Sequence, residues 1–293
     1  MTPRARASPS PVDRTGWIAI LVGTAIIAWS GVLARFLDVG PLAGAAWRMG
    51  LAVPALAVWA RLASARPIGL AEPAAFGFLA LAGLAFAADV GSFHVALTGT
   101  KVANASFIGN IAPILAVAGG AVLFAEHPPP RVWGALVLAL FGSWAMAGMA
   151  APGHLNPGDL FALAAAVSYA TYLLAIKRLR VRLDGPTATL WSAAVSAVAL
   201  AIAAALHGEI LVPGSVVGWT VVILLGVVSH ALGQGLTSVA IGRVPVGLLA
   251  LVILAQPPFS ALLAWLILGE TMSSPQLAGG AVILGAALLA RPK

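Results

Sequence analysis

Two charged residues interrupt long apolar stretches of this chain and are the first candidates for chemistry. Arg48 lies about eight residues from the start of the stretch 41–60, and Asp89 lies about eight residues from the end of the stretch 74–97. Both of these helix ends are expected on the same, outer side of the membrane. At a helical rise of ~1.5 Å per residue, both lie about 12 Å deep and can pair. Two interpretations stay open for them, since ionisable groups in a membrane need partners. They form a structural salt bridge between two helices, or Arg48 offers a fork to a substrate carboxylate while Asp89 holds it.

A histidine in another apolar stretch is the next candidate. His230 shares a helical face with Gln234 through their i, i+4 spacing. An imidazole suits a proton relay, because its ordinary pKa is about 6.5. The alternative is a neutral histidine that hydrogen-bonds a neighbouring helix.

Two amides stand beside prolines inside apolar stretches. Asn110 precedes Pro113 by three residues, and Gln256 directly precedes Pro257. Proline removes a backbone donor and clashes with the carbonyl four residues back, so both prolines predict kinks that act as hinges. The amides then either bind a polar solute beside the kinks or hold helices together.

Aromatic residues deep in the apolar stretches supply a possible pocket wall. Tyr169 and Tyr172, the two tyrosines of the chain, share a helical face at i, i+3. With Trp29, Phe86 and Trp265 they could surround an apolar or aromatic side chain, while their polar tips find partners. Plain packing between helices is the alternative for each of them.

These residues are positioned by apolar helices, because the chain is 61% hydrophobic and only 9% charged, against about 25% charged in soluble domains. About 20 residues cross the hydrocarbon core. The composition predicts an all-α polytopic membrane protein with ten transmembrane helices, at 16–34, 41–60, 74–97, 101–124, 131–150, 157–177, 187–206, 215–240, 245–268 and 275–290. Residues 1–15 are rich in Pro, Ser and Arg and predict a disordered cytoplasmic tail.

The distribution of Lys and Arg predicts on which side of the membrane each loop lies. Ten crossings put both termini on one side, and we expect that side to be the cytoplasm, because basic residues concentrate there. The basic residues on that side are Arg4, Arg6, Arg14, Arg61, Arg66, Arg131, Lys177, Arg178, Arg180, Arg182, Arg243, Arg291 and Lys293. Only Arg35 and Lys101 lie on the other side. The net charge of +7 is therefore attributed to membrane orientation and not to nucleic-acid binding.

The chain contains an internal repeat. A shift of 144 residues maps Pro113 onto Pro257 and Glu126 onto Glu270 without a gap. Each copy holds five helices, and five is odd, so the second copy is expected to be inverted relative to the first. The predicted repeats are 16–150 and 151–293.

The repeated pattern resembles the EamA domain of the drug/metabolite transporter superfamily. The residues that carry the resemblance are the mid-helix Pro113 and Pro257 and the helix ends Phe124-Ala125-Glu126 and Leu268-Gly269-Glu270. The resemblance implies export or exchange of small metabolites, and overall the chain looks most like aromatic amino-acid exporters of bacterial inner membranes. The first helix offers Trp29 and Ser30, whereas the four-helix multidrug relatives need a Glu there.

Together these observations predict a multi-pass secondary transporter that moves aromatic and other neutral amino acids by alternating access. Another small metabolite or a drug is the alternative cargo. An intramembrane enzyme is disfavoured, because the chain has no Cys, no H-E-x-x-H and no G-x-S-x-G. A channel is disfavoured by the inverted repeat. The expected partners are the substrate and the bilayer, for a monomer without cofactor or metal.

Overall fold

A computed structural model describes residues 13–63, 73–100, 102–148 and 156–289. Every regular element in these ranges is helical. Eight helical spans in these ranges are long and apolar enough to cross a membrane, three of them made of consecutive shorter helices, and two further apolar helices are shorter. The all-helical class and the polytopic character predicted from composition are confirmed.

The helices follow the apolar stretches closely. Their bounds are α1 Arg14–Leu33, α2 Pro41–Ala63, α3 Pro73–Gly99, α4 Val102–Gly109, α5 Ala112–Phe124, α6 Pro130–Met146, α7 Pro157–Leu179, α8 Gly185–Leu206, α9 Val216–Ile223, α10 Gly235–Ile241, α11 Val246–Ile253, α12 Gln256–Leu268 and α13 Ser274–Leu289. A 3₁₀ turn, Ala34–Phe36, follows α1, and a π-helical segment, Leu224–Gln234, joins α9 to α10.

The predicted tail falls almost wholly outside the described residues. Helix α1 begins at Arg14, inside the 1–15 segment expected to be disordered, because Asp13 caps it by accepting from the N–H groups of Thr15 and Gly16. The basic residues outside the described ranges are Arg4, Arg6, Arg66, Lys101, Arg291 and Lys293.

Both mid-helix prolines break their helices completely. Pro113 lies in the first turn of α5, and Pro257 lies in the first turn of α12. Across the two breaks, the carbonyls of Gly109 and Ile253 accept no backbone hydrogen bond. Those carbonyls lie four residues before each proline, where the ring removes the donor.

The two broken helices end in the same way. Ala125 and Gly269, 144 residues apart, both adopt left-handed backbone conformations, with φ of 53° and 68°. The next residue in each case, Glu126 or Glu270, returns its N–H to a carbonyl six residues back, at 3.3 Å and 3.4 Å. The N–H groups of Ala125 and Gly269 bond to the same two carbonyls, so both helix ends close with the same pattern. The repeat noticed in the sequence is therefore a repeat of backbone geometry at this point.

The π-helical segment was not predicted from the sequence. It spans 11 residues, Leu224–Gln234, within an apolar stretch that reads as one continuous helix. Helices of this kind occur mostly as single turns and often at functional sites. This one contains the candidate residue His230.

Packing joins the two halves of the chain more than it joins neighbours within either half. The most extensive pairs are α3 with α7, α2 with α8, and α6 with α13, each combining one helix before residue 150 with one after it. Helix α1 likewise packs against the π segment, α10 and α12. At one such crossing, a Cβ on Gly142 would lie 2.7 Å from the carbonyl oxygen of Gly279. The halves thus share one interleaved core.

We call one end of the bundle the first face. It is defined by Asp13, Glu126, Lys177, Arg180 and Arg243. Arg243 Nη1 donates to Asp13 at 3.3 Å, and Arg180 Nε donates to the Ser238 carbonyl at 2.9 Å. The N–H of Gly16, with smaller contributions from Thr15 and Arg243, lowers the pKa of Asp13. These bonds tie α1, α7 and α10 together.

The opposite end is the second face, defined by Arg35, Asp38, Glu209, Ser215 and Glu270. Asp38 accepts from the Ser215 hydroxyl at 2.6 Å and from the Ser215 N–H at 2.9 Å. The Ser215 hydroxyl is the main cause that lowers the pKa of Asp38. Glu209 accepts from the N–H groups of Leu42 and Ala43 and so caps α2.

The unequal cap residues predict unequal effects of exchanging them. Ala125→Gly should stabilise the protein by up to about 1 kcal/mol. The change removes the cost of a left-handed L-residue, about 1–2 kcal/mol, but glycine makes the unfolded chain more flexible, which lowers stability by about 0.4–1 kcal/mol. Gly269→Ala should lose a similar amount. Thermal unfolding in detergent micelles measures both changes.

Gly285→Ala is the matched control. Gly285 lies in helix α13, has ordinary helical backbone angles and faces open space. It should become slightly more stable through helix propensity. If Gly269→Ala behaves like Gly285→Ala, the left-handed cap does not hold in solution.

Candidate functional site

A cavity of about 510 Å³ lies between the second face and the interior of the bundle. It is bounded by α1, the connection from α1 to α2, α2, α3 and the π segment. Its lining residues are Ser30, Gly31, Ala34, Leu37, Val39, Pro41, Gly44, Ala45, Arg48, Met49, Val90, His94 and Leu225. Arg48 is its deepest charged residue along α2.

Arg48 projects into this cavity from the first half of α2. Its Nε is buried and has no hydrogen-bond partner. The backbone of the same turn packs closely on the π segment, where a Cβ on Gly226 would lie 3.2 Å from the Arg48 carbonyl oxygen. The glycine therefore allows α2 to carry its guanidinium beside the π segment.

Asp89 lies on α3, close enough to Arg48 for a direct electrostatic interaction. The ion pairs found among the described residues are Arg35–Glu270, Lys177–Glu126 and Arg243–Asp13. Arg48 and Asp89 therefore stay more than 4.0 Å apart between their charged atoms, a separation that excludes a salt bridge. The structure separates the pair that equal depth had suggested.

An aromatic cluster adjoins the two charges. Its centre is Phe86, one helical turn from Asp89 on α3. The Phe86 ring centroid lies 4.9 Å from that of Tyr172, 6.3 Å from Tyr169 and 5.5 Å from His230, all edge-on. The two tyrosine rings stack at 5.9 Å. We call Phe86, Tyr169, Tyr172 and His230 the aromatic cluster, and the charge of Arg48 acts on its three polar members.

The polar tips of the cluster are only partly satisfied. Gln234 Nε2 donates to the Tyr172 hydroxyl at 3.1 Å. His230 is 2% exposed, yet its Nδ1 has no partner. An unpaired buried nitrogen is costly, so a ligand or water is expected beside it.

Four of the predicted site residues lie apart from this cluster. Trp29 and Trp265 are 44% and 48% exposed and line no part of the cavity. Asn110 lies in the turn between α4 and α5, and Gln256 is the first residue of α12. Both amides are partly buried and make no side-chain hydrogen bond within the described ranges. Sequence alone had grouped them by depth, which does not fix the direction in which a side chain points.

Several site residues were missed or underrated. His94 lines the cavity, with its Nδ1 2.8 Å from the Val90 carbonyl oxygen. Gln234 reaches the cluster directly, and its i, i+4 spacing from His230 was the available signal. Within the described ranges, no group of three or more His, Asp or Glu side chains is arranged to hold a metal ion.

Comparison with known families decides the general class. The sequence model of the EamA-like transporter family matches residues 14–148 and again residues 156–291. This chain belongs to the EamA-like transporter family. It is a multi-pass membrane transporter and not an enzyme. The family resemblance seen in the Pro and Glu pattern is confirmed, and the narrower likeness to aromatic amino-acid exporters stays a prediction.

Two individual matches agree with this membership. The EamA transporter is 29% identical over 201 residues to an uncharacterised transporter of Archaeoglobus fulgidus, covering 69% of this chain and 71% of that protein. A crystal structure described only as that of a protein superposes with a TM-score of 0.79. It covers 93% of this chain and 98% of its own, at 23% identity, and shows the fold alone.

The bond between Gln234 and Tyr172 can be tested by a double-mutant cycle. Tyr172→Phe should destabilise the transporter by about 1–3 kcal/mol, because the Gln234 amide then stays buried without its acceptor. Thermal unfolding in detergent measures the loss.

The double variant Tyr172→Phe with Gln234→Leu removes both polar partners. It should be less destabilised than the sum of the two single changes, since no donor is then left unpaired. Additive effects of the two changes would contradict the hydrogen bond.

Proposed function

We propose that this transporter exports or exchanges amino acids, chiefly aromatic and other neutral ones, across a bacterial inner membrane. The observation that carries the proposal is the aromatic cluster beside a cavity that contains Arg48. Ring edges at 4.9–6.3 Å around Phe86 offer a wall for an apolar side chain. Binding pockets commonly combine such walls with a few polar groups that fix orientation.

Alternating access is proposed to run through two ion pairs at opposite faces. Lys177 bonds to Glu126 at the first face, and Arg35 bonds to Glu270 at the second face. Glu126 and Glu270 are related by the 144-residue shift, and each pairs with a basic residue from the other half of the chain. Both pairs are formed in this structure, in which the cavity lies toward the second face, and we propose that wider opening of either face breaks the pair at that face and keeps the other.

An inverted repeat with ten crossings is supported by the packing. The contact of α3 with α7 has its counterpart in α1 with the π segment and α10, and α5 with α7 corresponds to α1 with α12. Phe86 and His230 are also 144 residues apart, and their rings touch. Residues exchanged by a twofold axis meet only near that axis, so we place the axis between these two rings.

The first face is proposed to be cytoplasmic, with the cavity directed outward. Basic residues favour the cytoplasmic side of membrane proteins, and three basic residues help to define the first face, against Arg35 alone among those that define the second face. Breaks at Pro113 and Pro257 are proposed as hinges, since each leaves a carbonyl without a backbone donor. None of the four cluster residues lines the cavity itself, and we propose that substrate reaches the aromatic cluster past Arg48.

Transport by the purified protein tests the amino-acid assignment. In proteoliposomes it should give saturable uptake and counterflow of labelled phenylalanine, tryptophan or threonine. Phe86→Ala should lower phenylalanine uptake about tenfold or more, because the central ring of the wall is lost. Phe141→Ala is the matched control, since Phe141 is 56% exposed on α6 and packs on Trp144.

Two outcomes separate the alternatives. Uptake of sugars, nucleobases or cationic drugs without any of the three amino acids would replace the amino-acid assignment by the alternative cargo. Uptake without saturation or counterflow would indicate a channel.

The two ion pairs predict opposite effects on a single reporter. The chain has no Cys, so Ala45→Cys places one thiol in the cavity. Glu270→Gln should speed its labelling by an impermeant maleimide, because the second face loses its ion pair. Glu126→Gln should slow it, because the first face then opens more often.

The Lys177–Glu126 pair is the less exposed of the two, with side chains 14% and 32% exposed against 59% and 43% for Arg35–Glu270. Exposed pairs contribute little, so Glu126→Gln should have the larger effect. Equal labelling rates in the parent and both variants would rule out a gating role for the pairs.

A further inference from the structure

We propose that Arg48 and Asp89 are the two halves of a receptor for a zwitterion, with a substrate α-carboxylate on Arg48 and its α-ammonium on Asp89. The inference rests on the proposed amino-acid transport and deepens it. It specifies that cargo must carry both charges, in addition to a side chain that suits the aromatic cluster.

The state of Arg48 is the first argument. Its Nε is buried without a partner, and no hydrogen bond from its guanidinium to any described protein atom is found. A guanidinium inside a membrane bundle is expensive unless an anion or water compensates it. The cavity on which Arg48 borders gives such an anion a route from the second face.

The state of Asp89 is the second argument. It is the nearby charge of opposite sign, yet it makes no ion pair with Arg48 and no side-chain hydrogen bond among the described residues. Two opposite charges inside a bundle gain most by direct contact. Since neither charge is paired with the other, each can bind a group of a substrate, an anion on Arg48 and a cation on Asp89.

The surroundings of the two charges fix the third point of contact. Phe86 lies three residues before Asp89 on α3, so both occupy one helical face. Phe86 holds Tyr172 and His230 edge-on. A substrate bound by both charges would therefore direct its side chain at these rings, within reach of the unpartnered His230 Nδ1.

This arrangement discriminates among the classes of cargo. Sugars and nucleobases lack both charges, cationic drugs lack the carboxylate, and keto acids lack the ammonium. Each of them leaves at least one of the two buried charges without a partner, and such a defect is what makes polar sites selective. Zwitterions with a free α-amino and α-carboxyl group satisfy both residues.

The first test is competition against labelled phenylalanine in proteoliposomes of the unmodified protein. The competitors are phenylalaninamide, which lacks the carboxylate, and 3-phenylpropionate, which lacks the ammonium. Each should compete about ten- to hundredfold less well than unlabelled phenylalanine, since one charge-assisted hydrogen bond is lost.

The second test pairs each variant with each competitor. In the Arg48→Gln variant, unlabelled phenylalanine and its amide should compete equally well, whereas 3-phenylpropionate should still compete poorly. In the Asp89→Asn variant, unlabelled phenylalanine and 3-phenylpropionate should compete equally well, whereas the amide should still compete poorly. A merely structural pair would lower all three affinities together. Arg178→Gln is the matched control, because Arg178 is exposed on α7 against the Phe78 ring at 6.0 Å.

The outcomes distinguish the two levels of the proposal. Equal competition by all three compounds in the unmodified protein would overturn zwitterion recognition and leave amino-acid transport intact. Absence of phenylalanine, tryptophan and threonine uptake would overturn the proposed function itself. If a variant fails to fold, the competition series on the unmodified protein still decides.

Discussion

Packing of the two halves against each other is the constraint on which the rest of the bundle depends, and Glu126 and Glu270 join those halves at opposite faces by bonding to basic residues. Each carboxylate follows a left-handed residue that ends a broken helix, and each reaches across to Lys177 or Arg35. Glu126 also accepts the N–H of Val246, the first residue of α11. These bonds hold the ends of the two broken helices at opposite faces of the bundle.

Interleaving of the halves explains why the site lies at the centre. Because α3 packs on α7 and α1 on the π segment, residues from both halves converge on Phe86. The sequence equivalents of the polar residues do not match them: Arg48 corresponds to Ser192, and Asp89 to Gly233. The frame is repeated, whereas the charges within it come from the first half alone.

The sequence predicted those features that depend only on the position of a residue along its helix. Apolar stretches located the helices, and the 144-residue shift found the two prolines and the repeated helix ends at Glu126 and Glu270. The sequence did not show in which direction each side chain points around its helix axis. Trp29 and Trp265 were therefore grouped with the aromatic cluster, although their side chains are exposed. The π segment was missed because its residues fit an ordinary apolar helix.

Two repeated sets of helices need different side chains in the site between them if that site is to bind an unsymmetrical molecule. A site on a twofold axis with identical groups on both sides would offer like charges to both ends of a ligand. Here the axis proposed between Phe86 and His230 has an apolar ring on one side and an imidazole with a free nitrogen on the other. Arg48 and Asp89 add opposite charges on α2 and α3. The centre therefore has a carboxylate-binding end, an ammonium-binding end and an apolar wall, which are the three elements of an amino acid.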